Sequence, residues 1–480
     1  MTDRYDLVVI GGGSAGLVAA GGAGLIGARV ALIEKNRLGG DCLYTGCVPS
    51  KSLIRSAKFA SDLKRAREFG FEIGAAGFAG GRFSAVTDQV RRVIEAIEPH
   101  DSPERFEELG AEVIFGSPSF IGPNEVSVSL ADGGNRVLRA KRFCIATGSS
   151  PAIPPIKGLM ETGFITNEKV FGLQDLPARL IVLGGGPVGV ELGQAFARLG
   201  SKVTIVEMAP RILTKEDDDV AASVEERLRS EGIDVRTGVE AVGSEKSKSG
   251  KTIRLDDGDS IIGDEILVAT GRLANVVGLD LEKAGVRCNS RRIETDAYLR
   301  STAHHIYAAG DVTGHLQFTH TADYEAQIVL NNAFLFWPLR KKIELAAVPW
   351  AIFTDPEVAR VGMTEREART AFRNVEVIVT KLEENDRAQT EREIDGFAKI
   401  VLNRGKIVGA HIVGHRAGEL IHEFVLAMKF RLSLADLNKA IHIYPTLSKV
   451  TQAAATELTM NQFRSPTTRK WLSRYLRLWR

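Results

Sequence analysis

Two segments of the 480-residue sequence repeat one pattern, and this repeat constrains the fold more than any other feature. Each has an apolar stretch, a glycine cluster, an alanine- and leucine-rich stretch and a second apolar stretch: YDLVVIGGGSAGLVAAGGAGLIGARVALIE at 5–34 and RLIVLGGGPVGVELGQAFARLGSKVTIVE at 179–207. In both, an acidic residue stands 23 positions after the first glycine, from Gly11 to Glu34 and from Gly184 to Glu207. A strand, a glycine turn, a helix and a second strand ending in an acid form a dinucleotide-binding unit. The sequence therefore predicts two such units.

The glycines of each cluster have separate expected tasks. Gly11 is expected to make the tight turn, and Gly13 to let the backbone approach a pyrophosphate at the helix N-terminus. Gly16 is expected to let the helix pack closely against the strand. The second cluster has the corresponding residues Gly184, Gly186 and Gly189.

The acids that end the second strands bear on the choice of cofactor. Glu34 and Glu207 are placed to accept a hydrogen bond from a ribose hydroxyl. A carboxylate at Glu207 favours NADH over NADPH, because it repels a 2′-phosphate. Arg211 lies four residues further on and is a candidate partner for such a phosphate, so NADPH stays open as the less favoured donor.

A third signal is the block GGDCLYTGCVPSKS at 39–52, which holds two of the four cysteines. Cys42 and Cys47 stand five residues apart, and Pro49 suits a first helical turn, so Cys47 is expected at a helix N-terminus. That position favours a thiolate, and Lys51 lies one turn later on the same face. Half a zinc site would need further ligands nearby, and the segment has none. The block therefore predicts a redox pair and no metal site.

Almost end to end, the sequence resembles the flavoprotein disulfide reductases, which include dihydrolipoamide dehydrogenase, glutathione reductase and mercuric reductase. The resemblance rests on the two glycine clusters, the cysteine block, and the motifs ATGS at 146–149, ATGR at 269–272, AAGDV at 308–312, GHRAGELI at 414–421 and YPTLS at 444–448. It implies FAD at the first unit and a nicotinamide cofactor at the second. It also implies that a hydride passes through FAD to a disulfide between Cys42 and Cys47.

The resemblance also implies roles for single residues. Cys42 is then the interchange thiol that meets the acceptor, and Cys47 is the charge-transfer thiol beside the flavin. Lys51 approaches flavin N5 and pairs with Glu191, and Asp311 holds the ribityl chain. The glycines expected to contact the cofactors outside the two clusters are Gly40, Gly148, Gly271 and Gly310.

The implied fold is α/β, with two Rossmann-like dinucleotide-binding domains and a C-terminal α+β dimerisation domain. The FAD domain is expected in two parts, 1–150 and 274–345, on either side of an NAD domain at 151–273. The dimerisation domain is expected at 346–465, with amphipathic helices at 417–429 and 446–458, and a basic amphipathic tail at 466–480. The family implies a homodimer in which this domain completes the active site of the partner subunit.

The motif YPTLS departs from the disulfide-reducing relatives at the position of their catalytic base. Those relatives have a histidine before the Pro-Thr pair and a glutamate that orients it, whereas this chain has Tyr444 and Lys449. A tyrosine titrates near pH 10 and is a poor base at neutral pH. His442 lies two residues earlier and is a second candidate, although a packing or surface role is favoured for it.

The terminal acceptor therefore stays open at this point. A small disulfide or dithiol such as lipoamide is one alternative, and a metal ion such as Hg(II) or Cu(II), as in mercuric reductase, is another. Mercuric reductase also lacks that histidine, but it delivers metal through a vicinal cysteine pair, and this sequence has no cysteine after Cys288. A quinone is a third alternative, and an NADH-responsive binding protein without turnover is the non-enzymatic one.

Composition excludes some partners and suggests a location. The net charge of +2 gives no case for nucleic acid, and no run of about 18 apolar residues predicts a membrane-spanning helix. Acidic and basic residues before the first apolar stretch argue against a signal peptide, so a cytoplasmic protein is expected. The tail at 466–480 mixes basic and large apolar residues and is a candidate for a peripheral membrane or protein contact.

Overall fold

The computed structural model describes residues 3–72 and 82–479. The strands of these residues are β1 Asp3–Ile10, β2 Val30–Glu34, β3 Ala111–Gly122, β4 Glu125–Leu130, β5 Asn135–Ile145, β6 Ser149–Pro151, β7 Arg179–Leu183, β8 Lys202–Glu207, β9 Asp234–Thr237, β10 Ala241–Ser247, β11 Gly250–Leu255, β12 Ser260–Gly263, β13 Glu265–Val268, β14 Arg272–Ala274, β15 Cys288–Asn289, β16 Arg292–Ile293, β17 Ile306–Ala308, β18 Pro349–Ile352, β19 Glu357–Gly362, β20 Val375–Lys381, β21 Phe397–Asn403 and β22 Lys406–Gly414.

The α-helices are α1 Ser14–Leu25, α2 Gly40–Tyr44, α3 Cys47–Lys64, α4 Phe83–Ile97, α5 Pro103–Glu108, α6 Leu159–Thr162, α7 Asn167–Val170, α8 Pro187–Leu199, α9 Asp218–Ser230, α10 Thr319–Phe334, α11 Glu365–Ala371, α12 Asp386–Glu391, α13 Ala417–Leu420, α14 His422–Lys429, α15 Leu434–Leu437, α16 Lys449–Arg464 and α17 Pro466–Leu478. Short 3₁₀ turns cover Ala66–Phe69, Glu98–Asp101, Leu281–Ala284, Asp311–Thr313 and Leu382–Glu384.

The chain packs as two compact units. The first comprises Met1–Met208 and Val239–Glu344, and the second comprises Ala209–Gly238 and Leu345–Arg480. Both predicted dinucleotide-binding domains lie mostly within the first of these compact units, which does not separate them. The predicted division into domains at 1–150, 151–273, 274–345 and 346–465 therefore stays a prediction.

The first unit is built around a sheet with a parallel core. β1 pairs in parallel with β2 and β5, β2 with β3, and β5 with β17, while β4 pairs antiparallel with β3 and β5. Successive side chains of β1 enter different cores, Val8 and Ile10 one, Leu7 and Val9 the other. A strand buried on both faces has a continuous apolar sequence, which explains the run LVVI at 7–10.

The second repeat of the sequence forms a second parallel sheet in the same unit. β7 pairs in parallel with β8 and with β13, and an antiparallel meander of β10, β11 and β12 follows. β6 follows β5 of the first sheet, and β14 follows β13 of the second parallel sheet. β6 and β14 pair antiparallel, so the two connections between these sheets run side by side. The two predicted strand–turn–helix–strand units are therefore confirmed as β1–α1–β2 and β7–α8–β8.

The second unit contains a five-stranded antiparallel sheet in the order β18-β19-β22-β21-β20. Its apolar core joins strand residues such as Ile400 and Ile412 to helix residues such as Phe424 and Val450. The α+β character predicted for this part of the chain is confirmed.

Of the two helices predicted in this unit, the first keeps its predicted outer bounds, Ala417 and Lys429, but is interrupted, and the bounds of the second are wrong. The helix expected at 417–429 is divided at Ile421, where the hydrogen bond from the Phe424 amide returns only three residues to the Ile421 carbonyl. The helix expected at 446–458 begins at Lys449 and ends at Arg464. The Thr446 hydroxyl bonds the Ile443 carbonyl and the Ser448 hydroxyl, so these residues form a turn.

The described residues include no helix that is long and apolar enough to cross a membrane.

We predict that Gly16→Ala destabilises the first unit. A Cβ on Gly16 would collide with the Gly11 carbonyl oxygen, which belongs to the turn that the helix must approach. Overpacking of this kind costs about 1–3 kcal/mol of unfolding free energy, which urea denaturation measures. Gly122→Ala is the matched control, because a Cβ at Gly122 would have no described atom within 4 Å. Equal stability of the two variants would contradict the close-packing role.

Candidate active site

Each glycine turn is closed by the acid that ends the following strand. The Gly12 amide donates to Glu34 Oε2 at 2.7 Å, and the Gly185 amide donates to Glu207 Oε2 at 2.7 Å. The second oxygen of Glu34 accepts from the Asn36 amide at 2.8 Å. The two carboxylates are therefore held in equivalent positions beside the glycine turns of the two dinucleotide-binding units.

The start of α1 fits the pyrophosphate of a dinucleotide. Gly11 and Gly184 have φ values of +107° and +113°, which the tight turns require. Gly13 precedes α1, and a Cβ there would have its nearest neighbour, Gly40 Cα, at 3.9 Å. A helix N-terminus with free amides and open space binds an anion through its amides and its dipole. Gly186 precedes α8 in the same way, with no described atom within 4 Å of a Cβ.

The loop after β17 is held by Glu325, which belongs to no motif, and by Ser149 and Arg272, which end the motifs ATGS and ATGR. The Gly310 amide donates to Glu325 Oε2 at 2.7 Å, and Glu325 is fully buried in α10. The Ser149 hydroxyl donates to Asp311 Oδ2 at 2.5 Å, with Arg272 Nε 3.7 Å from the same oxygen. Burial raises the pKa of Asp311. Asp311 is therefore fixed at the C-terminal edge of the first sheet, where the resemblance expects the ribityl chain.

The two cysteines belong to consecutive helices. Cys42 lies in α2, and Cys47 is the first residue of α3, as predicted. Both are thiols in this structure. The Thr319 hydroxyl, in the first turn of α10, lies 3.3 Å from Cys47 Sγ. Thr319 was missed because it is 272 residues from Cys47 and belongs to no motif.

The two thiols differ in acidity because they interact directly. The hydrogen bond from Cys42 is the largest cause that lowers the pKa of Cys47 to about 6, and Thr319 and Lys51 lower it further. The hydrogen bond to Cys47 and burial raise the pKa of Cys42. Cys47 therefore carries the negative charge at neutral pH, and Cys42 keeps the proton.

Lys51 makes the contact that was expected of it. Its ammonium lies 3.0 Å from Glu191 Oε2, joining α3 to α8. Glu191 is almost buried, with a side-chain exposure of 8%. The pair places a positive charge one turn from Cys47, where it stabilises the thiolate.

A polar network surrounds Asp41, the residue before Cys42. Asp41 Oδ2 lies 3.0 Å from Arg272, and Asp41 Oδ1 accepts from the Thr45 hydroxyl at 2.5 Å. The Asn167 side chain donates to Asp41 Oδ1 at 3.2 Å. Thr45 lies in the cysteine block and Arg272 in the motif ATGR, whereas Asn167 belongs to no motif and is recognisable only from its position in space.

The candidates for the base lie in the second unit. The Tyr444 hydroxyl donates to Asp386 Oδ2 at 2.8 Å, and this hydrogen bond raises the pKa of the exposed tyrosine. His442 Nε2 and Glu423 Oε1 are hydrogen bonded at 2.9 Å, and 8% of the His442 side chain is exposed. The Lys449 ammonium donates to Gln452.

Neither of the other two cysteines has a lowered pKa. Burial raises the pKa of Cys144 to about 12, and burial is also the main cause that raises the pKa of Cys288. Among the described residues, no group of three or more His, Cys, Asp and Glu side chains is arranged to hold a metal ion.

We predict that one thiolate of the reduced protein is lost as the pH falls through about 6. The lowered pKa keeps Cys47 ionised above that pH and protonated below it, so its ultraviolet thiolate absorbance should disappear on acidification. Cys47→Ser should abolish this transition, and Cys144→Ala is the control that should leave it unchanged. A transition that persists in Cys47→Ser would assign the low pKa to another group.

Two family models match the chain. The model described as pyridine nucleotide-disulphide oxidoreductase covers residues 5–326, and the model for the dimerisation domain of the same family covers residues 348–455.

Curated proteins and solved structures agree with this match. A mercuric reductase of Staphylococcus aureus is 36% identical over 459 residues, covering 94% of this chain and 82% of that protein. A dihydrolipoyl dehydrogenase of Thermus scotoductus is 36% identical over 468 residues, covering 95% and 97%. The Cu(II) complex of the HOCl-induced flavoprotein disulfide reductase RclA from Escherichia coli superposes with a TM-score of 0.84 at 28% identity, covering 95% of this chain and 99% of that one. The chain therefore belongs to the pyridine nucleotide–disulfide oxidoreductase family, whose members use FAD and a nicotinamide nucleotide.

Proposed function

We propose that this protein is an NADH-dependent flavoenzyme whose cysteine pair delivers electrons to a thiol-binding metal ion such as Hg(II) or Cu(II). The observation that carries the proposal is the hydrogen bond from Tyr444 to Asp386, at the position where disulfide-reducing relatives have their base. A phenol that donates to a carboxylate is held in its protonated form, so it does not accept a proton from a thiol.

The choice of NADH rests on the second dinucleotide unit. The Glu207 carboxylate is fixed by the Gly185 amide at 2.7 Å and presents a negative charge that disfavours a 2′-phosphate. Arg211, the candidate phosphate partner, has its guanidinium engaged. It donates to the carbonyl oxygens of Leu213, Thr214 and Glu216 and lies 3.1 Å from Asp218.

Reduction of a metal ion by NADH balances in electrons, and the metal ion takes up no proton, so no residue has to deliver a proton to it. FAD bound at the first dinucleotide-binding unit would supply the hydride-accepting chemistry that links NADH to the cysteine pair. Two electrons reduce the Cys42–Cys47 disulfide to a thiol and a thiolate. When the two sulfurs re-form the disulfide and release one proton, the same two electrons convert one Hg(II) to Hg(0) or two Cu(II) to two Cu(I). Soft thiolate ligands favour such ions over harder ones. Cys47 is ionised near neutral pH, and metal binding releases the proton of Cys42.

Thiol–disulfide exchange has a different requirement. The departing thiol needs a proton, and a positioned acid or base contributes about 10²–10⁴-fold to such a step. Lys449 stands where relatives have the orienting glutamate, and its ammonium donates to Gln452. A cation at this position cannot hold a protonated imidazole, so Tyr444 and Lys449 together disfavour disulfide substrates. Similarity to a mercuric reductase and to a Cu(II)-bound flavoprotein disulfide reductase supports a metal ion as the acceptor.

A small disulfide or dithiol is the second candidate, and one observation favours it. His442 and Glu423 form an imidazole–carboxylate pair at 2.9 Å, which is the kind of pair that orients a catalytic histidine. If His442 serves as the base, lipoamide turnover survives the loss of the usual histidine.

The dimerisation domain at 348–455 also leads us to propose a homodimer.

We predict that NADH is the better donor by about 1–3 kcal/mol, or roughly 5–150-fold in kcat/KM, because Glu207 favours a free ribose hydroxyl. Glu207→Gln should lower the ratio of kcat/KM for NADH to kcat/KM for NADPH, because it removes the negative charge. Glu226→Gln, on the exposed face of α9, is the control and should leave the ratio unchanged. Equal efficiency with NADPH in the unmodified protein would refute the assignment.

We predict weak turnover of lipoamide and glutathione disulfide, together with NADH-dependent reduction of Hg(II) or Cu(II). Tyr444→His combined with Lys449→Glu should raise lipoamide turnover by about tenfold or more, and by more than the two single changes together. Tyr444→His alone should gain little, because Lys449 does not orient an imidazole.

His442→Gln separates the two candidates. Metal-ion turnover should be unchanged in this variant, because the proposal gives His442 no part in it. Strong lipoamide turnover by the unmodified protein that is lost in His442→Gln would establish the disulfide alternative and overturn the metal-ion proposal.

A further inference from the structure

The last helix of the chain, α17 at Pro466–Leu478, has two opposite faces. At 100° per residue, its aromatic and leucine side chains fall on one arc: Trp471, Leu472, Tyr475, Leu476 and Leu478, with Trp479 directly after the helix. The opposite arc carries its basic side chains: Arg469, Lys470, Arg474 and Arg477. The segregation is complete within the helix.

The apolar face is exposed, and its aromatic rings contact one another. The Trp471 and Tyr475 rings stack with centroids 5.8 Å apart, and the Tyr475 and Trp479 centroids are 6.0 Å apart. Exposed fractions are 64% for Trp471 and 78% for Trp479, and no described side chain of α17 is buried. The second unit therefore leaves a continuous aromatic ridge uncovered along its final helix.

Local signals define the helix, so it does not depend on burial of that ridge. The Ser465 hydroxyl accepts from the Thr468 amide at 3.2 Å, which caps the N-terminus. Pro466 occupies the first helical position, where its missing amide costs no hydrogen bond.

Charge is concentrated at this end of the chain. Residues 458–480 contain six arginines and lysines and no acidic residue. The remaining 457 residues carry 56 basic against 60 acidic side chains, so they are net negative. The segment that carries the aromatic ridge therefore has charge of one sign only, which suits a negatively charged surface.

We propose that α17 binds the surface of an anionic phospholipid membrane and lies in its plane. A helix with lysine and arginine on one face and tryptophan, tyrosine and leucine on the other buries its apolar face about 5–10 Å into the headgroup boundary. The indole rings prefer that boundary because they have both an apolar body and a polar N–H. A nucleic acid would match the basic face but leave the ridge in water, whereas a bilayer matches both faces.

The test uses the full-length flavin-loaded protein and sedimentation with lipid vesicles. We expect it to pellet with vesicles that contain phosphatidylglycerol and phosphatidylcholine, and not with pure phosphatidylcholine. Arg474→Glu with Arg477→Glu should weaken binding by about tenfold or more, since each basic residue near an anionic surface is worth about 1 kcal/mol. Arg91→Glu with Arg92→Glu changes the net charge equally on an exposed face of α4 and should not weaken it.

A second variant tests the ridge. Trp471→Ser with Trp479→Ser should reduce binding, whereas the exposed pair Phe336→Ser with Trp337→Ser should not. NADH-dependent flavin reduction should be normal in all these variants, which shows that they are folded and separates this test from the acceptor assignment.

Two outcomes overturn the proposal. One is the absence of binding to anionic vesicles by the unmodified protein. The other is a change of oligomeric state in the α17 variants, measured by sedimentation velocity, with lipid binding equal to that of the controls. That result would make α17 a contact between two copies of the chain.

Discussion

The two dinucleotide-binding units of the first compact unit depend on one constraint. In each of them, a glycine turn is closed by a carboxylate from the next strand. The Gly12 amide donates to Glu34 at 2.7 Å, and the Gly185 amide repeats the contact with Glu207 at 2.7 Å. Both turns bring a helix N-terminus to the edge of a parallel sheet. The close approach is possible because Gly16 and Gly189 have no Cβ to meet the turn's carbonyl oxygen. The same turn thereby gives each of the two helices an N-terminus that suits an anion.

The redox pair uses helix geometry in a related way. Cys47 begins α3, and Thr319 approaches its sulfur from the first turn of α10 at 3.3 Å. Lys51 brings a positive charge that is itself held by Glu191 at 3.0 Å. Together with the hydrogen bond from Cys42, which is the largest cause, these contacts outweigh desolvation, which alone would raise the pKa, and they lower the pKa of Cys47 to about 6. An ionised sulfur is the form that both nucleophilic attack and metal binding require.

The part of the chemistry that varies within the family lies in the second unit. Tyr444 donates to Asp386, while His442 is paired with Glu423. One pair keeps a phenol protonated and the other orients an imidazole, so they favour different acceptors. The family match covers both alternatives, because mercuric reductases and dihydrolipoyl dehydrogenases are similarly related to this chain. The family match alone therefore does not identify the acceptor.

The sequence by itself determined the repeated α/β units, the position of Cys47 at a helix N-terminus and the identity of the family. These features follow from local patterns: apolar runs, glycine spacing and a proline in a first turn. It did not determine the division of the helix at Ile421 or the partners Thr319, Ser149, Glu325 and Asn167. Those contacts join residues that packing brings together and that share no local pattern; Asn167 and Asp41, for example, are 126 positions apart. Only the tertiary structure decided which donors stabilise the thiolate and which hold Asp41 and Asp311, because hydrogen bonding depends on distance in space.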